Sequence, residues 1–208
     1  MNYGLFYDTE TQGMPLFSEP SEDPRQPHIV QLAAALVDMD TRKTVASMDV
    51  IIKPRGWTIP DDVAAIHGIT TEKAHDLGIP EESAVAIFLG LWNARTRIAH
   101  NEQFDARILR IALKRFPQAF PEPLSDKWKD GTAECTAKLA TPIVKCPPTA
   151  KMRAAGRNHY KTANLTEAYK HFFGQPFDGA HSAMADVNAC IAVYFAIQDH
   201  LKAEVDNG

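Results

Sequence analysis

Three cysteines in 208 residues are too few to staple this chain. Cys135, Cys146 and Cys190 are odd in number and lack the close spacing of a zinc site. They exclude a disulfide framework and read as reduced thiols of a cytoplasmic protein. The chain also lacks an excess of positive charge: 22 Lys and Arg stand against 26 Asp and Glu, a net charge of −4. That argues against a protein that coats nucleic acid through its total charge, although a local site holding cations can reverse the sign where it counts. Long hydrophobic runs are missing too. The run at Ile191 to Ile197 is far short of the roughly 20 residues that cross a bilayer, so no membrane partner is expected. No basic start followed by an apolar run comes after Met1-Asn2-Tyr3, so no signal peptide is expected. There is no internal repeat, and the length suits one domain, 1–203, followed by a short polar tail, 204–208.

What is present is an ordinary globular composition, 45% hydrophobic and 23% charged, with a clear order of patterns. Tyr3 to Tyr7 is apolar and aromatic and reads as a strand that ends at Asp8. Pro15 to Pro27 is rich in proline and acid and reads as a loop. Ile29 to Val37 and Met48 to Lys53 read as two further strands, joined by a turn at Asp40-Thr41-Arg42. From Pro80 the period becomes helical, with acids in the first turn and Ile87, Leu91 and Trp92 on one face. Arg97 to Ala99 is a short strand. A helix follows with Phe104, Ile108, Ile111 and Ala112 in register, ended by Pro117, Pro121 and Pro123. Asn164 and Glu167 form a capping pair for a helix that Gly174 stops. A last helix carries Val187, Ile191, Tyr194 and Phe195, and the chain frays after Leu201. The sum is an α/β fold: a mixed β-sheet flanked by α-helices.

Three segments carry candidate chemistry. Asp8-Thr9-Glu10-Thr11 closes the first strand, and period-two alternation puts Asp8 and Glu10 on one side. His100 to Asp105 runs from a strand end into a helix, as a loop does at His181 to Asp186. Alone, each has a plain reading: a polar strand end, a helix cap at Asn101, an acid favoured by a helix dipole. Together they place four acids at strand ends and helix starts, the edge of an α/β sheet where ligand sites gather. Four carboxylates so gathered repel one another unless cations neutralise them. Oxygen-only ligation suits Mg²⁺ or Mn²⁺. Two such ions about 3.5–4 Å apart can clamp the attacking and leaving oxygens of a phosphoryl displacement. A neighbouring histidine can take a proton from the attacking water.

Asp-Thr-Glu-Thr, then His-Asn-x-x-Phe-Asp, then His-x-x-x-x-Asp resembles the DEDDh branch of the DnaQ-like exonucleases, which includes the proofreading subunits of bacterial replicative polymerases. Ile66-His67-Gly68-Ile69-Thr70 resembles the family's His-Gly-Ile segment, and the likeness spans about Tyr3 to Leu201. The sister branch has tyrosine where this chain has Ser182. The resemblance implies a ribonuclease-H-like fold and a metal-dependent 3′–5′ exonuclease releasing nucleoside 5′-monophosphates from single-stranded or frayed ends. Two divalent cations, Mg²⁺ or Mn²⁺, would be held by Asp8, Glu10, Asp105 and Asp186. His181 would be the general base, and Thr9, Thr11, His67, Asn101 and Phe104 would contact the substrate or shape its site.

Two segments depart from that pattern. Pro15 to Pro27 lengthens the loop after the first motif. Thr141 to Thr162 has no acidic residue but contains Lys145, Lys151, Arg153, Arg157, His159 and Lys161. It reads either as a flexible arm that grips phosphates or as a solvated loop. DNA is favoured over RNA as substrate, because the first motif followed by Gly13 is closer to the DNA-directed members. An exoribonuclease and a non-catalytic nucleic-acid-binding module are the alternatives. A polymerase or repair partner docking on the surface is compatible with the sequence.

Overall fold

The computed structural model of the chain describes residues 2–206. Its strands are β1 (Tyr3–Thr11), β2 (Ile29–Asp38), β3 (Lys43–Ile51), β4 (Thr96–Ala99) and β5 (Ala133–Cys135). Its helices are α1 (Asp61–His67), α2 (Thr71–Leu77), α3 (Glu81–Trp92), α4 (Glu102–Arg115), α5 (Glu122–Asp130), α6 (Thr136–Val144), α7 (Ala150–Ala154), α8 (Leu165–Phe173) and α9 (Ala183–Asp206). The five strands lie in the order β3-β2-β1-β4-β5. The β1–β2 and β2–β3 pairs are antiparallel, and β4 runs parallel to both β1 and β5. This is the expected mixed sheet flanked by helices.

β1 and β2 are near-continuous apolar runs because both faces of the sheet are covered. Leu5, Tyr7, Leu32 and Ala34 pack with residues of α3, α4 and α5 on one face. Phe6, Ala33, Ala35 and Val37 pack with Ala183, Val187 and Tyr194 of α9 on the other. A smaller cluster joins α6, α8 and α9 through Ala140, Ala168, Val193 and Ile197. The capping box at Asn164 and Glu167 forms as the sequence predicts, and Gly174 ends α8 in a left-handed conformation (φ 76°).

Several sequence expectations are corrected. β1 continues past Asp8 to Thr11, so its acids lie within a paired strand. The third strand is Lys43–Ile51, not Met48 to Lys53. Its first half is an exposed edge with no apolar alternation to reveal it. α3 buries Ala84, Val85, Phe88 and Trp92, while Ile87 is 50% exposed. Ala84, small enough to pack close to the sheet, lies on that face, while Ala86 is exposed. α9 continues to Asp206, so residues 204–206 of the expected tail prolong the helix, and 207–208 lie outside the described residues. Within Thr141 to Thr162 lie the last turn of α6 and the whole of α7. Among the described residues no helix is long and apolar enough to cross a membrane.

Candidate active site

The site is built at one edge of the sheet. The parallel strands β1 and β4 point the same way, so the acidic end of β1 and the exit of β4 share that edge. The β1–β2 register shifts between Glu10 and Thr11, a local bulge of the kind that re-aims side chains. Phe6, Asp8 and Glu10 have the same parity, and Phe6 packs on α9, so the two acids face that helix.

From β4 the chain turns through Asn101, whose φ of 68° is left-handed, and enters α4. The Asn101 side chain makes no cap hydrogen bond. One turn into α4, Asp105 is 2% exposed. Its Oδ1 accepts two hydrogen bonds, from the Thr9 backbone N–H at 3.0 Å and from the Thr9 hydroxyl at 2.7 Å. α9 is anchored by the Ala183 N–H, which donates to Gln31 Oε1 at 3.3 Å. Gln31 is the β2 partner of Glu10, so this bond sets the start of α9 beside that acid. Ligand atoms of Glu10, His181 and Asp186 lie within 4.8 Å of one another. His181 is exposed and its backbone is left-handed (φ 69°), a strained conformation for a residue with a side chain.

The electrostatics follow from crowding. Burial, and then the charges of Asp186 and Asp105, push the Glu10 carboxyl up to about 8. Burial raises Asp8 well above the usual carboxylate range, with Asp105, Asp186 and Glu10 adding to it. Asp105 is pushed up to about 7 by burial, against the Thr9 hydrogen bonds that hold it down. Asp186 is raised by burial, against a backbone hydrogen bond and the charge of His181. Its Oδ1 is buried with no hydrogen-bond donor. An acceptor so placed normally loses about 1–3 kcal/mol. Oxygen donors with raised proton affinity and one unsatisfied atom fit a divalent cation, which would remove both penalties.

The remaining predicted contacts divide. Thr9 is 5% exposed and its hydroxyl donates to Asp105, so it supports that carboxylate. The Thr11 hydroxyl donates to the Gly13 carbonyl at 2.8 Å. His67 is 9% exposed, and its Nδ1 accepts the Ile69 N–H at 3.2 Å. That fixes the proton on Nε2, which is buried without a partner. Phe104 is half-buried against the main core. Lys161, one of the residues of the expected backbone-binding arm, pairs with Glu167.

Sequence reasoning missed a supporting layer. Glu102, the first residue of α4, accepts from Arg97 Nε at 2.6 Å and from the Tyr7 hydroxyl at 3.2 Å. The Arg97 guanidinium lies 4.4 Å from the centre of the Trp128 ring. Gln31 was missed as well. The available signals were single polar residues, Gln31 and Arg97, inside apolar strands.

The family model RNase_T, described as Exonuclease, matches residues 5–194. The structure is similar to E. coli exonuclease I in complex with a dT13 oligonucleotide, with a TM-score of 0.73 and 19% identity, over 100% of this chain and 43% of that one. It is also similar to the zinc-bound form of the E. coli exonuclease I–ssDNA complex, with a TM-score of 0.70 and 20% identity, over 99% and 42%. The apo form of exonuclease I gives 0.69 and 19%, over 95% and 42%. This chain thus spans less than half of those proteins, and at such identities the likeness shows the fold. A search of curated proteins finds no match.

Proposed function

Since the chain belongs to this exonuclease family, the DnaQ-like group its motifs resemble, we propose that it is a 3′–5′ exonuclease of single-stranded or frayed DNA. The observation that carries this reading is the meeting of Glu10, His181 and Asp186 within 4.8 Å, beside Asp8 and the Thr9-held Asp105. Asp8, Glu10, Asp105 and Asp186 would hold two divalent cations, Mg²⁺ or Mn²⁺. When bound, these supply Lewis-acid stabilisation of the attacking and leaving oxygens.

The protein's own groups do the rest. Water attacks the last phosphorus, the bond to the 3′-oxygen of the penultimate nucleotide breaks, and a nucleoside 5′-monophosphate leaves. His181, exposed at the rim of the acids, accepts the proton of the attacking water. Its left-handed backbone fixes its position between Gly179 and the start of α9. The Thr9 hydrogen bonds occupy one oxygen of Asp105 and leave the other for a cation. The His67 Nε2–H is a donor awaiting an acceptor, which a nucleotide oxygen would supply. A terminal base must be unstacked to enter, at about a few kcal/mol and least for a mismatch.

The test is degradation of 5′-labelled single-stranded DNA, beside the same sequence in RNA, with Mg²⁺, with Mn²⁺ and with EDTA. A ladder shortening from the 3′ end, dependent on metal and lost in Asp8→Ala, is expected, with DNA the faster substrate. Faster RNA cleavage would make the protein an exoribonuclease. Binding without a ladder on either would leave a non-catalytic module.

A further inference from the structure

We propose that the excursion between Cys146 and Lys161 is a cationic clamp on the phosphates of the substrate's own single strand, upstream of its 3′ end. The inference rests on the exonuclease reading and assigns the part of the substrate that reading leaves unplaced. The excursion is a built element, closed at its neck by the Lys161 N–H donating to the Cys146 carbonyl at 3.1 Å. Inside it, Thr149 caps α7 by accepting the Met152 N–H at 3.1 Å. The Arg157 N–H returns to the Met152 carbonyl at 2.9 Å, and Gly156 makes the turn with φ 71°. A preformed loop loses little entropy on binding.

Charge is what this element presents. No acidic residue occurs between Thr141 and Thr162 in a chain whose net charge is −4. Lys145, Lys151, Arg153 and Arg157 are exposed. Among the described residues no carboxylate forms an ion pair with any of them, whereas Lys161 at the neck is neutralised by Glu167. Arg153 donates to the Pro148 carbonyl, which orders the side chain and leaves its charge unneutralised. Tyr160, 49% exposed, adds an aromatic face. Unpaired cations beside an exposed aromatic suit a single strand, whose phosphates and unstacked bases are both accessible.

The clamp is fixed to the catalytic edge. Just beyond its neck, Ala163 is 1% exposed, and its carbonyl pairs with His100 Nε2 at 3.0 Å. The other ring nitrogen of His100 meets the Thr136 hydroxyl at 2.9 Å. His100 lies between the end of β4 and Asn101, so the same short stretch sets both the base of the excursion and the start of the helix that carries Asp105. A strand with its 3′ end among the acids then has the excursion as its adjacent cationic surface.

The experiment compares wild type with the K151A/R153A/R157A variant, using the anisotropy of a labelled oligothymidylate in EDTA at several NaCl concentrations. The expected result is weaker binding by the variant and a log–log salt slope smaller by about 2, since each phosphate contact on a single strand contributes about 0.7. R153K/R157K, which keeps the charges, should retain the wild-type slope. Equal slopes for wild type and K151A/R153A/R157A overturn the clamp. Affinity for the corresponding duplex equal to that for the single strand overturns the single-strand assignment. Because binding is read without turnover, failure of wild type to cleave the oligothymidylate or a dinucleotide in Mg²⁺ would refute the exonuclease reading separately.

Discussion

Thr9 governs an acid that it does not resemble. Both of its donors end on one oxygen of Asp105, at 3.0 and 2.7 Å, and they oppose the burial that pushes that carboxyl up to about 7. Thr9→Val keeps the shape and the backbone donor but removes the hydroxyl. A hydrogen bond to a charged group is worth about 1.5–3 kcal/mol. The pH midpoint of Mg²⁺ binding, followed by calorimetry, should therefore move up by about one pH unit. An unmoved midpoint would mean that the backbone N–H alone holds Asp105. Asp8, Glu10, Asp105, Asp186 and His181 were picked out in the sequence by their three motifs taken together, since each motif alone had a plain reading. The role of Thr9 was not, because its partner lies 96 residues away. His67 was legible as a candidate through its His-Gly-Ile setting, but its buried and unpartnered Nε2 emerges only from the fold around it.

At the scale of elements, α4 is seated by its first residue. Glu102 is 7% exposed and ties Arg97 of β4 to Tyr7 of β1, the two strands that flank the site. Glu102→Ala would leave the Arg97 guanidinium, 5% exposed, without its carboxylate. Breaking a buried pair in this way costs about 3–5 kcal/mol. Urea denaturation should show that loss, and Arg97→Met in the same chain should recover part of it. A cost below about 1 kcal/mol would show that water or Trp128 satisfies Arg97 instead. Elements were legible where their hydrophobic period was long, in β1, β2, α4 and α9, or where a capping box and a terminal glycine marked both ends, in α8. The short helices α1, α2, α5, α6 and α7 were not, because fewer than three turns leave too few apolar positions to define a face. The edge strand β3 was partly hidden, since its exposed half faces water rather than a core.

At the scale of the molecule, burying acids sets a pH dependence whose sign can be worked out. Without metal, Glu10 is raised to about 8 and Asp105 to about 7, and Asp8 and Asp186 are also raised. In the unfolded chain all four titrate near 4. Between those limits the folded protein holds more protons than the unfolded one, so the contribution of these acids to stability is full at low pH and is lost as pH rises through the folded values. His100, pushed down to about 4 by burial, acts in the opposite sense, losing stability as pH falls below its unfolded value near 6.5. The window from about pH 6.5 to 8 isolates the acids. There each proton released changes stability by about 1.4 kcal/mol per pH unit, less for Glu10 because solvent screens it. Metal-free protein in EDTA should lose on the order of 1–3 kcal/mol across this window in urea denaturation. Excess Mg²⁺ should restore it, because a cation that binds only the folded state adds stability, and it should add more at the upper end, where the acids are ionised and must be neutralised. Glu10→Gln should flatten the metal-free profile by removing the acid with the highest of the two values. A metal-free profile that is flat or rises across the window would show that these carboxylates do not share one buried cluster, and with it the case for a cation site would fall.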